Sequence, residues 1–298
     1  MEGENNMKTV AYLGPKGSFT EVAAKALLPN ETHIPFRSIP DCMDAVNEDA
    51  VDRAIVPLEN AIEGSVNITL DYLIHHQRME MAAEVTAPIF QNLMTNKKHA
   101  DDWKEIDAVY SHPQAIAQCH QFLRNYIPNA EIRYTNSTAE AAKFVSESEE
   151  KIAALANETS ASEYGLAIVK SKVNDYKNNS TRFIALQKGS LNKSFEQMDG
   201  VSLYKTTIMV TLPLDYTGAL HQVLSAFAWR KINLSKIESR PMKTGLGNYF
   251  FIIDIDMKKD EVLIPGVQEE LKALGCKVEV LGSYPCFQWE ALCALQNK

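Results

Sequence analysis

The stretch Asn178-Asn179-Ser180-Thr181-Arg182-Phe183 sets a hydroxyl, a guanidinium and an aromatic ring in three consecutive residues, just ahead of an apolar run from Ile184 to Leu186. In an extended segment alternate side chains share a face, so Thr181 and Phe183 point one way and Arg182 the other. Along the edge of a cleft, such a segment can clamp a carboxylate through the arginine and donate a hydrogen bond from the threonine to a leaving oxygen. Taken alone, the tripeptide also fits a surface strand with a solvated arginine. The elements around it decide between the two.

Four strand-to-helix passages precede it. Val10 to Leu13 runs through Gly14-Pro15-Lys16-Gly17-Ser18 into an alanine-rich helix, Phe19 to Leu28; Arg53 to Leu58 runs through Glu59-Asn60-Ala61-Ile62-Glu63-Gly64-Ser65 into Val66 to His76. Asp107 to Tyr110 passes through Ser111-His112-Pro113-Gln114 into Ala115 to Tyr126, and Ile132 to Tyr134 through Thr135-Asn136-Ser137-Thr138 into Ala139 to Val145. Ser18 with Glu21, and Ser137 with Glu140, are capping boxes that fix helix starts. Strands alternating with helices predict a parallel or mixed sheet covered on both faces, with ligands beyond the carboxyl ends of the strands. Each loop offers small or hydroxyl residues and free backbone N–H groups, a setting for an anion, and each taken singly is also an ordinary cap. Four together, without a nucleotide motif, favour a carboxylate ligand.

Met79 to Leu93 reads as strands crossing to a second lobe, and Ile152 to Ala156, Leu166 to Val169 and Phe183 to Leu186 as the return. The expectation is a discontinuous two-lobed α/β unit over residues 7–187, with lobes at about 7–85 plus 160–187 and at 86–159, and a cleft between them. Residues 188–203 form a polar linker. The pattern then changes to strand (Thr206 to Leu212), helix (Gly218 to Arg230), two strands (Leu234 to Arg240, Tyr249 to Ile255), helix (Val267 to Leu274) and strand (Val278 to Leu281), a ferredoxin-like βαββαβ unit over 204–285. Residues 286–298 form a tail in which Trp289 packs a short helix.

Composition bounds the partners. The chain has 298 residues, enough for two or three domains, and its 45% hydrophobic and 23% charged residues are those of a globular protein. A net charge of -8 argues against non-specific nucleic-acid binding, so an anionic ligand must be held by local cations and backbone amides. Five scattered cysteines without a C-x-x-C pair fit a reduced cytoplasm. No apolar run reaches membrane-spanning length and no signal peptide is read; Met1 to Asn6 reads as an extension ahead of a fold that starts at Met7. His75-His76 lacks metal-site spacing and no H-E-x-x-H occurs, so neither a metal nor an organic cofactor is expected. His112, with no acid or nucleophile spaced for a triad, reads as a helix-entry residue.

Taken together, Gly14-Pro15-Lys16-Gly17-Ser18-Phe19-Thr20, Val56-Pro57-Leu58-Glu59-Asn60 with Gly64-Ser65-Val66, Ser111-His112-Pro113-Gln114-Ala115, Asn136-Ser137-Thr138-Ala139-Glu140-Ala141-Ala142, Asn179-Ser180-Thr181-Arg182-Phe183 and Glu238-Ser239-Arg240-Pro241 resemble the prephenate dehydratase family in order and spacing. The resemblance, from about Thr9 to about Pro285, implies a catalytic domain of two α/β lobes similar to type II periplasmic binding proteins, followed by an ACT regulatory domain. It implies a cytoplasmic lyase of phenylalanine biosynthesis that converts prephenate to phenylpyruvate, CO2 and water. Many relatives also carry a chorismate mutase domain; the chain has no room for one and is expected to be monofunctional.

The resemblance implies that Thr181 assists departure of the ring hydroxyl. A threonine hydroxyl is a poor acid at neutral pH, so oriented hydrogen bonding is expected, relayed through water or a protonated carboxyl, with Glu59 as the candidate carboxyl. Asn60, Ser111, Gln114, Ser137 and Thr138 are expected as polar positioners. Arg182 is the candidate for the pyruvyl carboxylate or, turned away from Thr181, a clamp between lobes. Lys16 is either a substrate contact or a solvated turn lysine, and Phe183 a ring neighbour or core. Gly218-Ala219-Leu220 and Glu238-Ser239-Arg240-Pro241 are implied to bind the effector L-phenylalanine between paired ACT domains, in a homodimer or homotetramer. Thr217 stands where the family usually has proline, which alters loop stiffness there. Two other readings remain open on sequence: a non-catalytic cytoplasmic amino-acid or carboxylate sensor, and an arogenate dehydratase.

Overall fold

The computed structural model describes residues 8–76, 79–189, 193–214, 216–242 and 249–296. The expected start at Met7 and the extension Met1 to Asn6 lie outside them. The chain divides into two compact units, residues 1–77 with 86–183, and 78–85 with 184–298.

In the first unit the opening lobe contains β1 (Thr9–Leu13), α1 (Phe19–Leu27), β2 (Thr32–Phe36), α2 (Ile39–Asn47), β3 (Arg53–Asn60), the two-residue β4 (Gly64–Ser65) and α3 (Asn67–His75). Strand β1 lies parallel between β2 and β3, Ala11 opposite Ile34 on one side and Ala54 on the other. Both faces of these strands are covered, so Val10, Ala11 and Tyr12, and Ala54, Ile55 and Val56, are buried without alternation. Helix α1 brings Ala23, Ala24 and Leu27 to this core, and α2 brings Met43 and Val46. Neither β2 nor α2 stands out in sequence: Pro35 interrupts the strand pattern, and α2 has nine residues with Pro40 in its first turn. Ser38 is nonetheless a conventional N-cap, its Oγ accepting from Asp41 N at 3.2 Å.

The chain next enters β5 (Glu80–Pro88), which is divided between the units, and builds the second lobe. That lobe holds β6 (Asn92–Thr95), β7 (Ala108–Ser111), α4 (Pro113–Gln118), α5 (His120–Tyr126), β8 (Glu131–Tyr134), α6 (Thr138–Glu147), β9 (Ile152–Ala156), α7 (Glu158–Tyr164) and β10 (Ala167–Lys170), in the sheet order β10-β6-β9-β7-β8. Alternate residues of β9 face opposite layers. Ala154 and Ala156 pack with Ala141, Ala142 and Val145 of α6, whereas Ala153 and Leu155 pack with Ile116, Cys119 and Leu123 on the α4–α5 side.

This sheet corrects the expected lobe boundaries. Strand β9 sits between β6 and β7, and β10 pairs antiparallel with β6, Ile168 opposite Met94. Leu166 and Ile168 close the same apolar layer as α6, so 152–156 and 160–170 stay in the second lobe. The chain returns at β11 (Ser180–Gln187), whose first four residues belong to the first unit and lie beside β3.

The second unit contains β12 (Val201–Thr211), α8 (Ala219–Ala228), β13 (Leu234–Pro241), β14 (Tyr249–Ile255), α9 (Leu263–Ala273), β15 (Lys277–Gln288) and α10 (Trp289–Gln296). The antiparallel order β13-β14-β12-β15, with α8 and α9 packed on one face, is the expected βαββαβ arrangement. Ile208, Val210, Phe251, Ile253 and Ile255 meet Val223, Phe227, Ile264, Val267 and Leu271 from the helices. Strands β12 and β15 pair as far as Val201 and Phe287, so the sheet extends into residues expected as linker and tail. Residues 80–85 of β5 add a strand beside β15. Gly282 permits this close approach, since a Cβ there would lie 2.2 Å from Met81 O. Glu84, 2% exposed, pairs with Lys205 at 3.0 Å.

Candidate active site

Within the first unit, the loops after β1, β3, β7 and β8 converge with the start of β11 on a cavity of about 470 Å³. The N-termini of α1, α3 and α6 open on it through Ser18 and Thr20, Val66, and Ser137 and Thr138. The capping boxes set the first and third of these. Glu21 N donates to Ser18 Oγ at 3.2 Å while the Glu21 carboxylate accepts from Gly17 N at 2.5 Å; Glu140 N donates to Ser137 Oγ at 3.0 Å and its carboxylate accepts from Asn136 N at 2.8 Å. Each carboxylate thus satisfies the amide of the residue before the cap. Helix starts concentrate amide dipoles of one sign, which favours an anion. No lysine or arginine lines the cavity among the described residues.

Asn60, the last residue of β3, organises the cavity wall. Its Nδ2 donates to Thr181 Oγ1 at 2.9 Å, to Asn179 Oδ1 at 2.9 Å and to Ser180 O at 3.2 Å. Its Oδ1 accepts from Ile62 N and Glu63 N at 3.0 and 3.1 Å. Asn179 Nδ2 in turn donates to Gln118 Oε1 at 3.0 Å, joining the residue just ahead of Ser180 to the second lobe. Thr181 therefore receives a hydrogen bond and keeps its own proton to donate. It is 7% exposed and shares the cavity lining with Phe183, as strand alternation predicts.

The second lobe grips the first loop of the opening lobe. Asn157 Nδ2 and Ser160 Oγ both donate to Gly17 O, at 2.7 and 2.8 Å, and Tyr164 OH donates to Lys16 O at 2.8 Å. Gly17 has φ of +80°, and a Cβ on it would lie 3.1 Å from Ser160 Cα. Glycine is required there both for the backbone and for the contact. On the other side of the cleft, Gln114 Nε2 donates to Glu63 Oε2 at 3.0 Å, and the Gln114 amide donates to Nδ1 of His112, the N-cap of α4, at 3.3 Å. Burial pulls the His112 imidazole below the ordinary histidine range, and the nearby Glu63 charge opposes that shift.

Of the residues expected from sequence, Thr181, Asn60, Gln114, Ser137, Thr138 and Phe183 line this cavity. Glu59, Arg182, Ser111 and Lys16 do not, and each has a physical reason. Glu59 and Arg182 alternate away from Asn60 and Thr181 and pair with each other at 2.6 Å. Ser111 is buried, its hydroxyl donating to Leu155 O at 2.7 Å inside the second lobe. Lys16 lines an adjoining cavity of about 1010 Å³ together with Arg37, Lys143, Glu140 and Glu163. Glu63, Gln118 and Gln91 line the site without having been singled out in sequence. Glu63 lies four residues beyond Glu59, and only the turn into β4 separates their surroundings.

In the second unit, Gly218 caps α8 with φ of 90° and Leu220 in its first turn is 37% exposed. On β13, Glu238 lies 3.2 Å from Lys236 and 3.5 Å from Arg240 on one face, and Ser239 and Pro241 are exposed on the other. No group of acidic, histidine or cysteine side chains suited to a metal ion occurs among the described residues, and no described helix is long and apolar enough to cross a membrane.

A profile of the prephenate dehydratase family matches residues 10–190. Prephenate dehydratase of Bacillus subtilis is 53% identical over 283 residues, covering 94% of this chain and 99% of the relative. That of Lactococcus lactis subsp. lactis is 42% identical over 93% of this chain and 98% of its own. The crystal structure of prephenate dehydratase in complex with L-Phe from Arthrobacter aurescens superposes with a TM-score of 0.81 at 33% identity, covering 93% of this chain and 89% of that one. Profile, identity and coverage agree with the fold, and the chain belongs to the prephenate dehydratase family.

Proposed function

We propose that the chain is a cytoplasmic prephenate dehydratase that binds prephenate in the cavity around Thr181 and is inhibited by L-phenylalanine through the βαββαβ unit, its ACT domain. The observation that carries the catalytic part is the Asn60 to Thr181 hydrogen bond, which leaves the Thr181 proton free on the cavity side. Prephenate is a dianion whose ring carboxylate leaves as CO2 while the hydroxyl para to it leaves as water. The electrons of the breaking carbon–carbon bond enter the ring, and the carbon–oxygen bond breaks toward oxygen. Thr181 steadies that oxygen as charge develops on it.

The absence of lysine and arginine from the described lining suits decarboxylation, because a cation against the ring carboxylate would hold the charge that has to leave. The carboxylates are held instead by the helix starts at Ser18, Val66 and Ser137 and by Gln114 and Thr138, while Asn60 orients Thr181. Phe183 supplies an apolar wall for the ring. Arg182 and Glu59 act behind that wall, as an ion pair that holds β11 against β3.

The effector reading draws on the L-Phe complex of the Arthrobacter aurescens relative, and on Gly218 and Leu220 at the start of α8 with the exposed Ser239 and Pro241 of β13. L-Phenylalanine is held at Gly218-Ala219-Leu220 and Glu238-Ser239-Arg240-Pro241 between paired units of a homodimer or homotetramer. The five free cysteines, four of them buried, accord with a reducing compartment. Phenylpyruvate formation from prephenate, followed with and without L-phenylalanine, tests both parts. Turnover suppressed by the amino acid is expected; a protein that binds prephenate without converting it would be a sensor.

A further inference from the structure

Among the described side chains that line the cavity, Gln91 is the one that carries a buried polar atom without a hydrogen-bond partner. It is 3% exposed, and its carboxamide bonds to no other described residue, so its Oε1 can turn to a donor in the cavity. A buried acceptor left unpaired costs stability, and a ligand that brings a donor recovers it. The backbone around it is fixed. Gln91 N donates to Asn174 Oδ1 at 2.6 Å, and Gln91 O accepts from Val173 N at 2.8 Å. Ile89 N donates to Asn179 O at 2.9 Å, which ties this segment to the one that carries Thr181. Ile89 and Gln91, on either side of Phe90, both line the cavity together with Thr181. The neighbouring carboxamide oxygens are taken: Asn60 Oδ1 by Ile62 N and Glu63 N, Asn179 Oδ1 by Asn60 Nδ2, and Gln118 Oε1 by Asn179 Nδ2.

We propose that Gln91 holds the ring hydroxyl of prephenate, its Oε1 accepting the hydroxyl hydrogen while Thr181 donates to the oxygen. This rests on the prephenate reading above. The substrate dianion has a single hydrogen-bond donor, the ring hydroxyl; its two carboxylates and its keto oxygen only accept. An unpaired acceptor in the cavity therefore matches one group of the substrate, and that group carries the carbon–oxygen bond to be broken. With its hydrogen on Gln91, the hydroxyl turns a lone pair to Thr181, so the two side chains together fix rotation about that bond. The hydrogen stays on the oxygen throughout. Gln91 thus serves recognition and orientation, and Thr181 meets the charge that develops as the bond breaks.

The test is Gln91→Met, which keeps the length of the side chain and removes the acceptor. Steady-state kinetics with prephenate are combined with inhibition by phenylpyruvate and with urea melts. Phenylpyruvate lacks the ring hydroxyl and keeps the pyruvyl carboxylate, so it reports on the rest of the cavity. The expected result is a fall in kcat/KM for prephenate of about 10–10²-fold, with the inhibition constant of phenylpyruvate within about twofold of wild type. The urea midpoint is expected not to fall, because an unpaired buried acceptor has been removed. Wild-type kcat/KM in Gln91→Met would overturn the assignment. An equal weakening of phenylpyruvate, which a merely structural role would produce, would overturn it too, as would a lowered urea midpoint, which would reveal a partner for the oxygen within the fold. A wild type that fails to convert prephenate would overturn the functional reading itself, and with it this inference.

Discussion

At Thr181 and Arg182 one peptide bond separates two fates. The hydroxyl faces the cavity, held by Asn60, and the guanidinium faces away onto Glu59. Substitutions should therefore divide cleanly. Arg182→Gln is expected to lower stability by about 1–2 kcal/mol, the worth of a charged hydrogen bond in a partly exposed pair, while KM for prephenate stays near wild type. Urea melts alongside steady-state kinetics check this; a large rise in KM without loss of stability would return Arg182 to the substrate. Alternation in an extended segment already separated the two side chains in the sequence. What the sequence hid was the partner of the arginine, because Glu59 and Arg182 lie 123 positions apart and meet through sheet pairing alone. The same limit led to Glu59 where Glu63 reaches the cavity, since the turn that redirects the chain there is a matter of backbone geometry.

The elements that carry the site were legible where a helix began with a serine cap and a matching glutamate, as in α1 and α6. They were obscure where strand and helix signals were short or broken by proline, as in β2 and α2. The lobe boundary was misplaced for a related reason. An apolar strand such as β10 carries no local mark of which sheet it joins, and only its pairing with β6 decides. The contact of α7 with the loop after β1 was equally invisible, and it makes a specific demand. Gly17→Ala is expected to cost about 1–3 kcal/mol from the positive φ and the approach to Ser160, and to lower kcat/KM because Ser18 and Thr20 follow directly in the cavity wall. Full activity and stability in that variant would show that the loop tolerates displacement.

Strand β2 carries a further consequence. Burial lowers the pKa of His33, although hydrogen bonds involving the backbone of Ala24 and Leu28 oppose the shift. Unfolded His33 takes up a proton near its ordinary value of about 6.5, and the native residue resists until lower pH. The stability it contributes is complete above the unfolded value and is lost as pH falls through the depressed native one. Wild type should thus lose more stability between neutral pH and the acid side of that value than His33→Gln does, as read from urea midpoints. Equal losses would remove His33 as a contributor.

On the scale of the whole molecule, catalysis and regulation are assigned to different units of one chain. Strands β5 and β11 are each divided between those units, and β11 also carries Thr181 and Phe183. If L-phenylalanine acts at the start of α8, Leu220→Glu should weaken inhibition at least several-fold and leave uninhibited turnover unchanged, because the residue is exposed and lies outside the catalytic unit. A titration of activity with L-phenylalanine checks this, and unaltered inhibition would move the effector elsewhere. Ligand binding at one unit can change turnover at the other only by favouring a conformation with a different cavity.

The central claim is that the proton of Thr181, oriented by Asn60, serves the departure of the ring hydroxyl. Its most direct test is single-turnover conversion of prephenate to phenylpyruvate by the wild type and by Thr181→Val, at saturating protein. The account predicts that prephenate still binds while the rate of phenylpyruvate formation falls by about 10²–10⁴-fold. Wild-type rates in Thr181→Val would contradict it.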